Sequence, residues 1–287
     1  MSAAKAMPKG PSTRLDVLVA ERAGTSRARA QALILEGRVR LAGEPHTKAG
    51  ELVPRSAPLD VAAGPRFVSR GGVKLEQALD AFGWSPRRLR CLDVGASTGG
   101  FTDCLLQRGA AHVTALDVGY GQLAWSLRQD PRVAVIERCN FRHAAPDVCG
   151  APFDFITADV SFISLTKLVG QFEGFLAGGG RLVLLIKPQF EAGSKAVGRR
   201  GVVRDEATQV AAIETVTEAF LRGGLPAQCL THSPITGPEG NVEFLLGAIK
   251  GGDPVRLDAS TIVRRARREL VAGVPRRPPS DDGTRAR

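Results

Sequence analysis

From Cys91 to Ile249, short apolar runs alternate with helix-period stretches, and this alternation constrains the fold more than any other feature of the chain. The apolar runs are Cys91–Val94, Val113–Val118, Val133–Ile136, Phe153–Ala158, Leu182–Ile186, Gln228–Ser233 and Val242–Ile249. Helical patterns fall between most of them, over Gly100–Arg108, Gly121–Arg128, Leu165–Leu176 and Glu206–Arg222. Strands joined in this way by helices predict an α/β fold with an open, largely parallel sheet covered on both faces. In such sheets ligands sit at the carboxyl ends of the strands.

Ahead of this region the pattern is different. Residues 1–12, rich in Ala, Lys, Pro, Gly and Ser, read as a loose leader. Leu15, Leu18 and Val19 share one face of a helix ending near Gly24. Thr25 or Ser26 can cap a second helix, with Ala30, Leu33 and Ile34 on one stripe and Gly37 as its stop. Arg38–Gly43 alternates as a strand running into a turn, and short strands and turns fill the rest. The expected organisation is a flexible leader at 1–12, a small module at 13–63, a linker at 64–70 and a main domain at 71–252. The remainder, 253–287, offers a basic helix over Ile262–Val271 and a disordered Pro- and Arg-rich end.

Charge follows this division. The net charge of +10 falls as +6 on residues 1–70, zero on 71–250 and +4 on 251–287. Basic ends around a neutral centre fit a phosphate-rich partner, since cationic contacts release condensed counterions; a merely soluble basic surface is the plain alternative. The longest apolar run, Leu182–Ile186, is five residues, where a membrane-spanning helix needs about 20. The N-terminus carries no secretory apolar segment. Five scattered cysteines (Cys91, Cys104, Cys139, Cys149, Cys229) form no CxxC pair, which points to reduced thiols in a cytoplasmic protein and to no metal site.

The sharpest local signal is CLDVGASTGGF at Cys91–Phe101, an apolar strand, a Gly-rich turn and a helix start. Gly95, Gly99 and Gly100 let the backbone bend and approach a ligand closely, and free N–H groups at the helix start favour a negative group. Asp117, 24 residues after Asp93, ends the next strand, where a carboxylate can take both hydroxyls of a ribose. The turn is neither G-x-x-x-x-G-K-[ST] nor G-x-G-x-x-G. D-x-G-x-x-x-G-G instead resembles the first motif of S-adenosylmethionine-dependent methyltransferases, which implies Asp93 near the amino-acid end of that cofactor, Asp117 on its ribose and Asn140 on the adenine side.

Four ionisable residues stand at unusual places. Lys74 lies in RGGVKL before the first strand, Asp159 and Lys187 end the strands FDFITAD and LVLLIK, and Glu243 sits inside NVEFLLGAI. Charges in such strands are costly unless paired, so they form either a satisfied salt-bridge network or a reactive cluster. Asp159-Val-Ser-Phe162 is not the [DN]-P-P-[YF] sequence that grips an exocyclic amine. Gly193, Gly198 and Gly201, interspersed with Lys195, Arg199 and Arg200, read as a basic loop at the site mouth or a plain exposed loop. Tyr120, Trp125 and Phe162 offer stacking faces to a splayed nucleotide, although Trp125, inside a helical pattern, reads as core.

Lys74, Asp159, Lys187 and Glu243 match, in order, the K-D-K-E tetrad of FtsJ-like RNA ribose 2′-O-methyltransferases. More narrowly, VSRGGVKL, CLDVGASTGGFTD, DVGYGQLAWSLR, ADVSFISL, KPQFE and GNVEF resemble the TlyA family of rRNA 2′-O-methyltransferases, first labelled haemolysins. Arg14–Leu18 and Ser26–Gln31 resemble the S-four-type (alpha-L) RNA-binding domain of that family, while Phe67 stands where members can carry Trp. The resemblance implies a Rossmann-like methyltransferase fold behind a small α+β RNA-binding domain, and catalysis by Lys74, Asp159, Lys187 and Glu243. It implies S-adenosyl-L-methionine as cofactor, held by Asp93, Gly95, Ala96, Ser97, Gly99, Gly100, Asp117, Val118 and Asn140. Arg14, Arg27, Arg29, Arg38 and Arg40 are the expected RNA contacts.

The implied substrate is a cytidine 2′-hydroxyl in small- or large-subunit rRNA within ribosomal subunits, met by a cytoplasmic monomer, and the basic tail helix leans toward both subunits. Lys187 is the candidate base, or else the group that orients the hydroxyl. Two other readings compete: a membrane-active haemolysin, which needs membrane-inserting segments, and an inactive RNA-binding factor of ribosome assembly.

Overall fold

The computed structural model describes residues 10–62, 64–193, 198 and 201–270. The chain divides into two compact units, Met1–Arg66 and Phe67–Arg287. Most of the expected leader, the loop cations Lys195, Arg199 and Arg200, and the Pro- and Arg-rich end lie outside the described residues.

In the first unit, β1 (Ser12–Arg14) leads into α1 (Leu15–Ala23), which ends at Gly24 in the left-handed conformation. Ser26 caps α2 (Arg27–Leu35) by accepting a hydrogen bond from the Arg29 N–H at 3.2 Å. Four short strands follow: β2 (Val39–Leu41), β3 (Glu44–Pro45), β4 (Leu52–Pro54) and β5 (Leu59–Val61). Strand β1 pairs with β4, and β2 lies between β3 and β5, all antiparallel. Leu15, Leu18, Val19, Ala30, Leu33 and Ile34 meet Val39, Leu41 and Val53 in one small core. At its edge the fully buried Asp16 carboxylate takes Arg14, Arg27 and Gln31, bridging the two helices at 2.8–3.1 Å.

The second unit opens with α3 (Gly71–Phe82), a helix that the sequence pattern did not announce. Then come β6 (Arg90–Val94), α4 (Gly100–Gln107), β7 (His112–Leu116), α5 (Trp125–Arg128), β8 (Val133–Ile136) and β9 (Phe153–Ala158). The chain continues through α6 (Val169–Phe175), β10 (Leu176–Ile186), α7 (Pro188–Glu191), α8 (Glu206–Arg222), β11 (Ala227–His232), β12 (Phe244–Ile249) and α9 (Ala259–Leu270). The seven strands form one sheet in the order β11-β12-β10-β9-β6-β7-β8. Strands β6 to β10 pair in parallel, whereas β12 runs antiparallel to both its neighbours. Strand β10 shows why the apolar runs are continuous. Leu182, Leu184 and Ile186 enter the core under α6, α8 and α9, while Val183 and Leu185 enter the core under α3 and α4. A strand buried on both faces needs apolar residues at both alternations.

Three expectations are corrected. The helix placed over Gly121–Arg128 shrinks to α5, because the Gly119 and Gly121 N–H groups are taken by Asp117 and Glu137 in a turn. Trp125 is not core but 74 % exposed, and Leu127 is the buried residue of α5. The stretch from Leu165 is a 3-10 turn followed by α6, and Leu176 already belongs to β10. Among the described residues no helix is long and apolar enough to cross a membrane.

Candidate active site

The Gly-rich turn leaves β6 at Gly95 and enters α4 at Gly100, at the carboxyl end of the sheet. It is tied to β7 by the Gly95 and Ala96 N–H groups, which donate to the Leu116 carbonyl at 2.9 and 3.1 Å. Gly95 has a φ of +80°, and a Cβ there would stand 2.5 Å from the Asp159 carbonyl oxygen. Gly99 has a φ of +100°, and its Cβ would meet Leu127 at 2.2 Å. Both glycines thus admit a close approach of protein to protein, where the sequence reading assigned them to ligand approach.

Asp93 is likewise a support. It is fully buried, with Thr102 and Thr157 hydroxyls donating to its two oxygens at 2.7 and 3.1 Å. Burial pushes its pKa up to about 7. With no exposed surface, Asp93 lies beneath the turn and supports it. Asp117, just past β7, accepts from the Ser97 N–H at 2.8 Å and the Gly119 N–H at 2.6 Å, one on each oxygen. Each oxygen keeps a second lone pair. Val118 is 73 % exposed, and Asn140 is exposed while its Oδ1 caps a 3-10 turn by accepting from the Arg142 N–H.

The four ionisable residues come together as two ion pairs. Lys74, in the first turn of α3, donates from Nζ to Glu243 Oε2 at 2.6 Å, across 169 residues of chain. Both are buried, at 8 % and 1 % exposure. Glu243 stands just before β12, not within it. Lys187, which follows β10, reaches Asp159 Oδ1 at 2.7 Å, and Asp159 follows β9. The β10–β12 register pairs Ile186 with Phe244, so one further step sets Lys187 opposite Glu243. Both pairs therefore lie at the end of the sheet where the Gly-rich turn sits.

Three residues that sequence reasoning missed hold this arrangement. Ser161 Oγ accepts from Lys187 Nζ at 2.8 Å. Glu191 of α7 takes the Ser164 hydroxyl at 2.6 Å and the Leu165 N–H at 2.9 Å, and burial raises its pKa. Asn241 donates to the Gly201 carbonyl and accepts from the Val203 N–H, anchoring that strand of loop beside Glu243. Ser161, Asn241 and Glu191 lie two to four residues from Asp159, Glu243 and Lys187, inside the blocks ADVSFISL, GNVEF and KPQFE, and those blocks are the signal that could have found them. Between Ser161 and Ser164, Phe162 has a φ of +66° and is 92 % exposed, with its ring 5.3 Å from that of Phe190. Tyr120 is exposed under the Arg138 guanidinium.

The arginines expected to meet RNA all have partners within their own unit. Arg14 and Arg27 hold Asp16, whose pKa the Arg14 guanidinium keeps far below the usual carboxylate range. Arg29 reaches Glu36, Arg38 reaches Glu36 and the Ala62 carbonyl, and Arg40 reaches the Gly43 carbonyl. Arg14, Arg27 and Arg29 keep about half their side chains exposed, at 46 %, 55 % and 51 %.

Residues 67–250 match the FtsJ-like methyltransferase family and residues 13–57 match the S4 domain. The 16S/23S rRNA (cytidine-2′-O)-methyltransferase TlyA of Mycobacterium tuberculosis is 46 % identical over 229 residues, covering 78 % of this chain and 85 % of that protein. Hemolysin A of Brachyspira hyodysenteriae is 40 % identical over 234 residues, covering 81 % and 98 %. A solved structure from Streptococcus thermophilus, provisionally named a hemolysin, superposes with a TM-score of 0.70 at 40 % identity, over 91 % of this chain and 98 % of that one.

Proposed function

Because the chain belongs to the TlyA-type FtsJ-like methyltransferases with an N-terminal S4 domain, we propose that it methylates cytidine 2′-hydroxyls of ribosomal RNA with S-adenosyl-L-methionine. The observation that carries this is the Lys187–Asp159 pair at 2.7 Å, at adjacent strand ends beside the Gly-rich turn.

The residues around that turn fit the cofactor. The spare lone pairs of Asp117 suit two ribose hydroxyls, the exposed Val118 offers an apolar edge, and the exposed Asn140 amide offers donors on the adenine side. When bound, the cofactor supplies a methyl group on a positively charged sulfur. The chain's own part is to place a ribose hydroxyl in line and to handle its proton. A ribose hydroxyl is a poor nucleophile until that proton is drawn away, and positioned groups of this kind contribute about 10²–10⁴-fold. Lys187 stands where it can hold and accept the proton, Asp159 pairs with it, and Lys74 with Glu243 frames it from α3 and the residue before β12. The S4 domain and the basic residues near both ends supply contacts to RNA phosphates, and the ribosomal substrate sets the work in the cytoplasm.

The test is incubation of labelled S-adenosyl-L-methionine with unmodified ribosomal subunits, followed by mapping of the label. We expect it on the 2′-oxygen of cytidine, and a label on a base would overturn the reading. Lys187→Ala is expected to abolish transfer while cofactor binding, measured by calorimetry, survives. Wild-type protein that binds rRNA and transfers nothing would instead be an assembly factor.

A further inference from the structure

An amine nitrogen has four tetrahedral positions. One position on Lys187 Nζ is its own Cε and a second points at Ser161 Oγ at 2.8 Å, whereas Asp159 Oδ1, 2.7 Å away, is an ion-pair partner out of line for a hydrogen bond. The Ser161 bond is the directional one. We propose that Ser161 is a positioning residue of the reaction, fixing the direction in which the remaining lone pair or proton of Lys187 faces the ribose hydroxyl.

Asp159 alone cannot set that direction. An ion pair out of hydrogen-bond alignment leaves the amine free to turn about its Cε–Nζ bond, whereas the directed bond to Ser161 holds it. The two partners also answer differently to charge. A carboxylate holds an ammonium well and an amine poorly, because its attraction depends on the charge. A serine hydroxyl accepts from either form, so it keeps Lys187 aligned once the proton has moved.

The local fold is built to present this hydroxyl. The next residue, Phe162, adopts the left-handed conformation at +66°, a backbone state that costs a non-glycine residue of order 1–3 kcal/mol and persists where the surroundings impose it. Three residues beyond Ser161, Glu191 grips Ser164 and Leu165, so the short α7 that begins beside Lys187 also clamps the far side of the turn. Ser161 itself is exposed and supports no core, which separates its hydroxyl from any packing duty.

The inference rests on the methyltransferase reading above, and the experiment tells the two apart. Ser161→Thr keeps the hydroxyl, and Ser161→Val has nearly the same shape without it. Both are assayed beside wild type for methyl transfer to ribosomal subunits, for cofactor affinity and for thermal unfolding. We expect Ser161→Val to lose about 10- to 100-fold in kcat, the scale of a misplaced catalytic group, and Ser161→Thr to restore most of it. Cofactor affinity, KM and the unfolding temperature should match wild type in both variants. Thr and Val variants of equal activity, high or low, would overturn the proposal, since the hydroxyl would then carry nothing. A wild-type protein that transfers no methyl group would overturn the methyltransferase reading and this inference with it.

Discussion

Replacing Gly95 by Ala tests whether the Gly-rich turn and Asp159 are mechanically one piece. The added Cβ would stand 2.5 Å from the Asp159 carbonyl oxygen, where ordinary contact begins at 3.4 Å. The ends of β6 and β9 must part by about 1 Å, or the turn must twist, and both options cost energy. The left-handed backbone at +80° costs an alanine roughly 1–2 kcal/mol, and forcing a methyl into a packed site adds roughly 1–3 kcal/mol. Gly83 isolates the first cost, because it has a φ of +64° with nothing within 4 Å of its Cβ. Gly83→Ala should therefore lose only the backbone part, and Gly95→Ala about 2–5 kcal/mol, lowering the unfolding temperature by roughly 5–15 °C. A displacement of about 1 Å at Asp159 should also cost methyl transfer about 100-fold. The assay is thermal unfolding of both variants together with label transfer to ribosomal subunits. If Gly95→Ala loses no more stability than Gly83→Ala and keeps its activity, the turn and the acid are not coupled.

The remaining predictions follow from burial and pairing. Asp93 is held near pKa 7 in the folded chain against 3.8 unfolded, so folding takes up a proton between those values and stability falls as pH rises from about 4 to about 7. Asp93→Asn, which cannot ionise, should flatten that slope in denaturant titrations at pH 5 and 7; parallel slopes would refute the burial argument. Lys74→Met alone leaves Glu243 buried and unpaired, a loss of about 3–5 kcal/mol, whereas Lys74→Met with Glu243→Leu should fold at least as stably as wild type and transfer no methyl group. A single variant with the wild-type denaturation midpoint would show that the pair is not buried. Arg29→Ala should lower RNA affinity and reduce the slope of log K against log salt by roughly 1 without cost to folding, since its partner Glu36 is exposed. Arg27→Ala should do the same and also destabilise the S4 domain, because it removes a partner from the fully buried Asp16; unfolding temperatures of the two variants decide it.

The strands were readable because β6 and β9 are buried apolar runs and β8 a half-buried one, each found where the periodicity places it to within a residue. What escaped reading depends on partners distant in sequence. Helix α3 opens on Gly71-Gly72 with no side-chain cap at Arg70, so its start carries no local signal. Gly72 is there for packing, since a Cβ would fall 2.2 Å from the Phe67 ring. Trp125 obeyed a helical period yet stands 74 % exposed, because α5 is one turn long and has no second turn to bury it. Nor does an apolar run state its direction, so β12 gave no sign of running antiparallel. The four ionisable residues could be singled out, but their pairing could not. Lys74 finds Glu243 across 169 residues only because α3 packs beside β12.

That pairing explains why the site needs four charges when two would seem to suffice. Register sets Glu243 opposite Lys187, and an unneutralised carboxylate there would favour the ammonium over the amine. Lys74 takes up that carboxylate at 2.6 Å, in the more deeply buried of the two pairs. Lys187 is then left to Asp159, in the less deeply buried of the two pairs, and to the uncharged Ser161 hydroxyl. A buried ion pair is a poor way to stabilise a fold, because desolvation offsets the attraction. Its presence between α3 and β12 makes sense as shielding. In the mechanism proposed above, one lysine is committed to a carboxylate so that the other is left to Asp159, Ser161 and the ribose hydroxyl.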